Sequence, residues 1–414
     1  MARRAERVSG GNPEPASEGG ILGRRLVVVL ALTAGVAVAN LYYAQPLLPT
    51  IAREFGVGSG TAGMTITVSQ LGYAAGLAFI VPLGDIVDRR RLVSAALGVT
   101  AVALAGAAAA PGIGFFIALA GIIGLGSVMA QIVVPLAAEL SDEATRGRVV
   151  GTVMTGLLLG ILLGRTAAGL VAEVAGWRAV YLFGSGLTGL LALVVRRELP
   201  PERHRPVLRY GELLRSVGHL VRTEPLLVRR CLYGALAFAA FTALWTSLAF
   251  LLAAPPYRYG EATIGLFGLV GAAGAASASV IGRLADAGRV RLASGAFALT
   301  IAAAYLVLGV GRESLPVLIA GILVLDLGVT GLHVLNQSTI YGLRAEARSR
   351  LNSAYMTAFF LGGAAGSATS AVLYDAVGWT GVCAFGTALG LAALGLWLTE
   401  RGPAQSGWKG LSTR

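Results

Sequence analysis

Charged and chemically reactive side chains are scarce in this chain. Only 13% of its 414 residues are charged, and it holds three histidines and two cysteines. A soluble domain usually carries about 25% charged residues, so the composition excludes that class. Histidines and cysteines are too few for a metal cluster or a disulfide framework, and core packing accounts for Cys231 and Cys383 in their apolar runs. We therefore expect neither an enzyme nor a bound cofactor.

Long apolar runs take up most of the chain. Hydrophobic residue types make up 56% of it, and about 20 mostly apolar residues suffice to cross a bilayer as a helix. The pattern predicts an all-α integral membrane protein with twelve transmembrane spans, numbered in chain order: 26–50, 61–83, 93–111, 114–138, 150–174, 178–195, 231–254, 262–284, 292–310, 314–338, 352–375 and 379–399. An even number of spans places both termini on one side of the membrane.

The basic residues predict which side that is. Most of the 33 Lys and Arg residues fall in the tails and in alternate loops, and cytoplasmic loops accumulate such residues. We therefore expect a multi-pass protein of the plasma membrane with cytoplasmic termini. The net charge of +12 then needs no nucleic-acid partner, because no folded face gathers it. Residues 1–25 are expected to form a disordered tail and residues 400–414 a second cytoplasmic tail.

The two halves of the chain resemble each other. A shift of 201 or 202 residues superimposes two Gly-Trp pairs, two acids and two arginines, among them Asp85 on Asp286, Arg148 on Arg350, Gly160 on Gly362, Gly164 on Gly366, Glu173 on Asp375 and Trp177 on Trp379. The repeat indicates two pseudo-symmetric six-helix bundles, 26–195 and 231–399, joined by a cytoplasmic linker, 196–230. Parallel repeats of this kind occur in secondary transporters, whose substrate site lies near the membrane midplane between the halves.

The loop after span 2 carries a motif that is repeated after span 8. The first copy, Val81 to Arg90, reads VPLGDIVDRR, and the second runs from Gly282 to Arg289. Both resemble the pattern G-x-L-A-D-R-x-G-R-R of the major facilitator superfamily, although Val81 and Asp88 replace glycines. The resemblance covers residues 25 to 400 and implies the twelve-helix fold of that family, close to its drug and metabolite efflux branch.

The resemblance also implies a conformational latch at each motif. An Asp at the end of a helix sits badly on its own helix dipole and is better used to cap another helix. By the family pattern, Asp85 would cap span 11 and Asp286 would cap span 5. The implied latch residues are Asp85, Arg89, Arg90, Arg148, Asp286, Arg289 and Arg350. Anchoring of a solvated loop is the alternative, which accounts for the arginines but not for an acid in both copies.

Spaced glycines mark spans 5 and 11. Gly160 and Gly164 recur as Gly362 and Gly366, and this spacing lets helices approach closely. The span 5 run resembles the motif G-x-x-x-G-P-x-x-G-G of antiporters in the same family. Arg165 stands where that motif has proline, which weakens the inference from this motif to antiport.

Two charged residues are predicted inside the bilayer. Arg165 lies in span 5 and Asp326 in span 10. A charge at such depth normally faces the bundle interior and has a partner there. A direct or water-bridged ion pair between the two halves is therefore one expectation, and snorkelling of Arg165 to the membrane surface is the other.

Polar residues follow one face of span 10, where Asp326, Thr330, His333 and Gln337 have helical spacing. In the family that the chain resembles, spans 1, 4, 7 and 10 line the substrate cavity, and the other three spans here also carry polar or aromatic side chains. The expected cavity residues are Asn40, Tyr43, Gln45, Gln131, Thr242, Trp245, Thr330, His333 and Gln337. The aromatic residues among them can equally serve packing.

These features favour proton-coupled efflux of a small organic molecule by alternating access, in which exchange of the partner of Arg165 links proton binding at Asp326 to conformation. Two alternatives stay open: a facilitator or importer of a sugar or other metabolite without proton coupling, and a transporter-like sensor that binds without moving cargo. The expected partners are a small-molecule substrate, protons and the lipid bilayer, and the expected state is a monomer.

Overall fold

The computed structural model describes residues 23–201, 210–271, 281, 289–344 and 347–400. The regular secondary structure in these ranges is helical. Its α-helices are α1 (Arg24–Ala39), α2 (Leu48–Phe55), α3 (Ser59–Ala75), α4 (Arg89–Ala108), α5 (Ile113–Ser127), α6 (Met129–Glu139), α7 (Arg146–Ala175), α8 (Trp177–Glu198), α9 (Tyr210–Thr223), α10 (Pro225–Ala253), α11 (Glu261–Leu266), α12 (Val290–Val310), α13 (Leu315–Tyr341), α14 (Arg348–Val377) and α15 (Trp379–Leu398).

Ten helical segments in this part of the chain are long and apolar enough to cross a membrane. The predicted all-α membrane fold is therefore confirmed, and the ten segments are compatible with twelve spans. The remaining two predicted spans are 26–50, which is broken into two helices, and 262–284, which is described only in part.

Three predicted spans are interrupted where continuous helices were expected. Span 1 divides into α1 and α2 around a turn and a short 3₁₀ segment containing Pro46. The N–H groups of Leu41 and Tyr42 already bond to carbonyls three residues back, and Pro46 has no N–H with which to resume the α-helical pattern. Span 2 continues beyond α3 through a π turn and a 3₁₀ turn to Asp85. Span 4 divides into α5 and α6 at Val128.

The linker between the halves contains the helix α9, which was not predicted from the sequence. Leu220 on this helix is buried in the hydrophobic core, and the hydroxyl of Tyr210 donates a hydrogen bond of 2.8 Å to the carbonyl of Phe79. The linker is thus attached to the end of span 2 and is more than a tether.

The two halves meet along two pairs of helices. Helix α3 of the N-terminal half packs along α14 of the C-terminal half, and α7 packs against α11. The rings of Tyr73 and Phe360 stack across the first contact, with centroids 4.0 Å apart. Thr67 and Ser367 form a hydrogen bond of 3.2 Å farther along it. These contacts define the surface on which one half could move against the other.

The bundle has two ends, which we call the terminal end and the distal end. Helix α1 begins and α15 finishes at the terminal end; α7 and α14 finish and α3 begins at the distal end. The predicted tails fall almost entirely outside the described residues, as do Asp286, most of the second motif and much of predicted span 8.

Candidate substrate site between the two halves

Arg165 lies buried in the middle of the long helix α7, with 3% of its surface exposed. Its Nε donates a hydrogen bond of 2.6 Å to Oε1 of Gln45, in the break between α1 and α2. The guanidinium carbon lies 4.3 Å from the ring centroids of both Tyr42 and Trp245. Aromatic faces attract a cation, so these rings hold the charge at the surface between the halves. This burial leaves no room for the snorkelling alternative.

Asp326 lies in α13 of the opposite half and is also buried, with 4% exposed. Its charge is close enough to interact electrostatically with Arg165. No ion pair joins the two side chains in the described part of the chain. Trp245 lies near both charges. Its ring contacts Arg165 directly, and Gly271 lies beside both Trp245 and Asp326: a Cβ added to Gly271 would be 3.8 Å from Cζ2 of Trp245 and 3.0 Å from Oδ2 of Asp326.

Gln45 and Trp245 are the predicted cavity residues that share a cavity with Arg165. The same cavity is closed by Pro46, Leu248, Ala249 and Ile264. It therefore receives walls from the α1–α2 break, from α7, from α10 and from α11. Both halves of the chain contribute to it.

Farther along α13, the other polar residues of its predicted face contact α14. Nδ1 of His333 is 3.1 Å from the hydroxyl of Tyr355, and the imidazole ring packs against Phe359 at 4.8 Å between centroids. Gln337 donates to the side chain of Asn352 at 3.4 Å. Thr330 is half-buried on the same helix. These side chains lie beside the aromatic cluster that includes Phe360 and reaches Tyr73.

Three predicted cavity residues point elsewhere. Asn40 donates a hydrogen bond of 3.2 Å to Thr188 on α8, and Tyr43 packs against Gly184 on that helix. Both side chains therefore contact the interior of the N-terminal half. Thr242 donates at 2.7 Å to the backbone carbonyl of Gly363, at the contact of α10 with α14.

Gln131 belongs neither to the residues that line the cavity nor to those that point into the interior of one half. Its Nε2 donates at 3.3 Å to the hydroxyl of Tyr73, whose ring stacks on the C-terminal half. It thus lies in the N-terminal half but adjoins the contact between the halves.

The spaced glycines lie where helices within each half are closest. A Cβ on Gly160 would be 2.1 Å from the carbonyl oxygen of Gly35, and one on Gly164 would be 3.1 Å from Ala39. In the other half, a Cβ on Gly362 or Gly366 would lie 2.2 Å from a carbonyl oxygen of α10. Helix α7 therefore packs on α1 as α14 packs on α10.

At the terminal end, Asp85, Arg89 and Arg90 contact one another or other residues of the N-terminal helices. Asp85 is half-exposed and its Oδ1 lies 3.7 Å from Arg89, which also pairs with Glu139. Arg90 donates at 2.6 Å to the carbonyl of Arg196. The end of span 2 nonetheless reaches α14, because Ser353 donates at 3.2 Å to the carbonyl of Leu77. Capping of α14 by Asp85 stays a prediction.

The remaining latch arginines are exposed or half-exposed. Arg148 and Arg289 lie at the exposed beginnings of α7 and α12, and Arg350 is half-buried at the beginning of α14.

Two acids at the distal end accept hydrogen bonds from the beginnings of helices of the opposite half. Asp375, near the end of α14, accepts a hydrogen bond of 2.9 Å from the side-chain hydroxyl of Ser59, the first residue of α3. Glu173, near the end of α7, accepts one of 3.3 Å from the backbone N–H of Ala262 at the start of α11. The acids are related by the 202-residue repeat. No role was predicted for these acids from the sequence. Their equivalent positions near the ends of two helices were the sequence feature that could have identified them.

Two bundles of membrane-crossing helices, with a charged site where they meet, define a transporter of the two-fold repeated class. The family model described as Major Facilitator Superfamily matches residues 30–343. The chain belongs to the Major Facilitator Superfamily, which confirms the resemblance seen in the motifs. It is accordingly a membrane transporter and not an enzyme.

Curated relatives carry transporter names. The transporter YgaY of Escherichia coli is 47% identical over 372 residues, which cover 90% of this chain and 94% of the relative. The transporter SCO4007 of Streptomyces coelicolor is 37% identical over 378 residues, which cover 90% and 87%.

Solved structures share the fold. A bacterial homologue of the human lysosomal transporter Spinster, in an inward-facing and occupied conformation, has a TM-score of 0.75 at 11% identity and covers 90% of this chain and 96% of its own. A variant of the nucleoside transporter NupG has a TM-score of 0.73 at 10% identity and covers 90% and 98%.

Proposed function

We propose that this chain exports a small organic molecule in exchange for protons. One observation carries the proposal: Arg165 in one half and Asp326 in the other are both buried near the surface where the halves meet. Burying a charge is costly, particularly without a direct partner. Charged residues at membrane depth commonly serve a substrate or proton pathway.

The transport cycle would alternate between states closed at either end. Helices α3 and α14 are joined at the distal end through Ser59 and Asp375, and α7 and α11 through Glu173 and Ala262. With the proposed cytoplasmic termini, this conformation is closed toward the outside. Opening outward would break both contacts while the latches around Asp85 and Asp286 close the terminal end.

Asp326 is the proposed proton carrier. Its ionised form interacts with Arg165, and protonation would remove that interaction. In the outward-open state Asp326 would take up a proton, and in the inward-open state it would release the proton as the substrate binds. The exchange then links each conformation to a different occupant of the site.

A facilitator or importer without proton coupling is the alternative, and a binding-only sensor is a further one. Each of them would also use a polar site between the halves, but neither needs a group there that gains and loses a proton. The choice among these functions therefore depends on Asp326.

Inside-out membrane vesicles provide the test. The vesicles are acidified inside, a dye reports the internal pH, and benzyltrimethylammonium, benzenesulfonamide or benzenesulfonate is added in turn. A proton-coupled exporter dissipates the gradient when it moves a probe. We expect Asp326→Asn to abolish this response, while Glu54→Gln, which alters an acid at the distal end that pairs with Trp177 and Arg178 of its own half, preserves it.

The alternatives predict other results. Probe movement that leaves the gradient intact and is equal in Asp326→Asn contradicts the coupling and favours a facilitator. Equilibrium binding without counterflow favours the sensor.

A further inference from the structure

Three hydrogen-bond donors without partners line one cavity between the halves. They are Nη2 of Arg165, Nε2 of Gln45 and Nε1 of Trp245, and none makes a hydrogen bond within the described residues. All three side chains are at least nine-tenths buried. A buried donor left unpaired costs about 1–3 kcal/mol, so three at one cavity point to a ligand that supplies acceptors.

The orientation of the donors is fixed by their other contacts. Oε1 of Gln45 accepts from Nε of Arg165, so the amide cannot be turned over without losing that bond. The Nη1 nitrogen of Arg165 donates to the carbonyl of Ile161 at 3.4 Å. Nη2 is the guanidinium nitrogen that has no partner among the residues that the structure describes, and both of its N–H groups remain available.

The chemistry of the site selects an anion. Guanidinium, amide and indole nitrogens all donate, and a carboxylate accepts at both oxygens without offering a donor of its own. A cation would face the positive charge of Arg165 instead. The remaining walls, Pro46, Leu248, Ala249 and Ile264, are apolar and suit a hydrocarbon or aromatic body.

We propose that this cavity binds a small organic anion, with its carboxylate on Arg165, Gln45 and Trp245 and its apolar body against α10 and α11. This inference names the substrate class and rests on the proposed function. The cavity is narrow in the described conformation, so the body of the ligand enters as the halves part.

The test measures binding to the purified full-length chain in detergent, by calorimetry and thermal unfolding at neutral pH. The probes are benzoate, benzamide and benzamidinium, which have similar shapes and charges of −1, 0 and +1. We expect benzoate to bind best, Arg165→Gln to abolish its binding, and Gln45→Leu and Trp245→Phe each to weaken it about tenfold through the loss of one hydrogen bond to a charged group.

Matched variants separate the site from general stability. Gln70→Leu and Trp379→Phe alter another buried glutamine and another buried tryptophan outside the cavity, and benzoate should bind both as it binds the unmodified chain. If Arg165→Gln does not fold, the Gln45 and Trp245 variants decide the matter.

Three outcomes would overturn the proposal: benzamidinium binding as tightly as benzoate, benzoate binding unchanged in both the Gln45 and Trp245 variants, or no benzoate binding at all. Benzoate binding without proton exchange would retain this site and reject the coupling instead. Proton exchange driven only by cationic probes would reject this site and retain the proposed function.

Discussion

Replacing Asp375 by Asn should shift the conformational equilibrium toward the state that is open at the distal end. The carboxylate of Asp375, in α14 of one half, accepts a hydrogen bond from the side-chain hydroxyl of Ser59 at the beginning of α3 in the other half. Asn keeps the shape and an acceptor but removes the negative charge that faces the helix N-terminus. Only the contact between the halves is changed.

The expected magnitude follows from the charge. A carboxylate near a helix N-terminus contributes about 0.3–1 kcal/mol, and a hydrogen bond to a charged group is stronger than one to a neutral group. The contact between Ser59 and Asp375 is exposed, so we expect about 1 kcal/mol, or about a fivefold rise in the open population. Adding Glu173→Gln at the second contact should double the free energy and raise the population about 30-fold, because the two sites are separate.

Spin labels across the distal end provide the assay. Val174 on α7 and Val377 on α14 belong to different halves and are 89% and 63% exposed, so both accept a label. With Cys231 and Cys383 replaced by serine, double electron–electron resonance in nanodiscs gives the populations of the short and long distances.

Glu54→Gln is the matched control for this experiment. Glu54 lies at the distal end but pairs with Trp177 and Arg178 of its own half, so its loss should leave the populations unchanged. Equal populations in Asp375→Asn and Glu54→Gln, or a shift toward the short distance, would refute the reasoning.

Two further substitutions test packing and buried charge. Gly160→Leu should prevent correct folding, because a Cβ there would lie 2.1 Å from a carbonyl oxygen of α1. Gly186→Leu should be tolerated, because no atom lies within 4 Å of a Cβ at that position. Fluorescence-detected size exclusion distinguishes the two variants. Arg230→Gln should destabilise the chain by about 3–5 kcal/mol because it leaves Glu400 partly buried without its partner. Arg25→Gln, which breaks an exposed ion pair, should cost about 0–1 kcal/mol. Thermal unfolding measures both, and equal losses would contradict the argument.

Much of the fold follows from local sequence. Apolar length gives the membrane-crossing helices, and the 202-residue repeat gives the division into halves. The break of span 1 could not be placed from hydropathy, because a window of about 20 residues averages Asn40 and Gln45 with their apolar neighbours. Helix α9 was missed because its residues lie in a basic segment, and its apolar face becomes meaningful only against the end of span 2.

The residue types of the candidate site could be predicted from the sequence, but the directions in which their side chains point could not. Helical spacing grouped the polar residues of α13, but it could not tell that Asn40 faces α8 while Gln45 faces Arg165. The helical break between these two residues changes which way each side chain points. A periodicity of 3.6 residues per turn no longer predicts the direction of a side chain beyond such a break.

By itself, the sequence of this protein determined its class, its family and the placement of two charges inside apolar helices, because these depend on composition, repeat and position along a helix. Only the tertiary structure decided which groups meet. It surrounded Arg165 with Gln45, Tyr42 and Trp245, and it joined Asp375 to Ser59. Such contacts depend on how helices distant in sequence are rotated and packed, and no local pattern encodes that rotation.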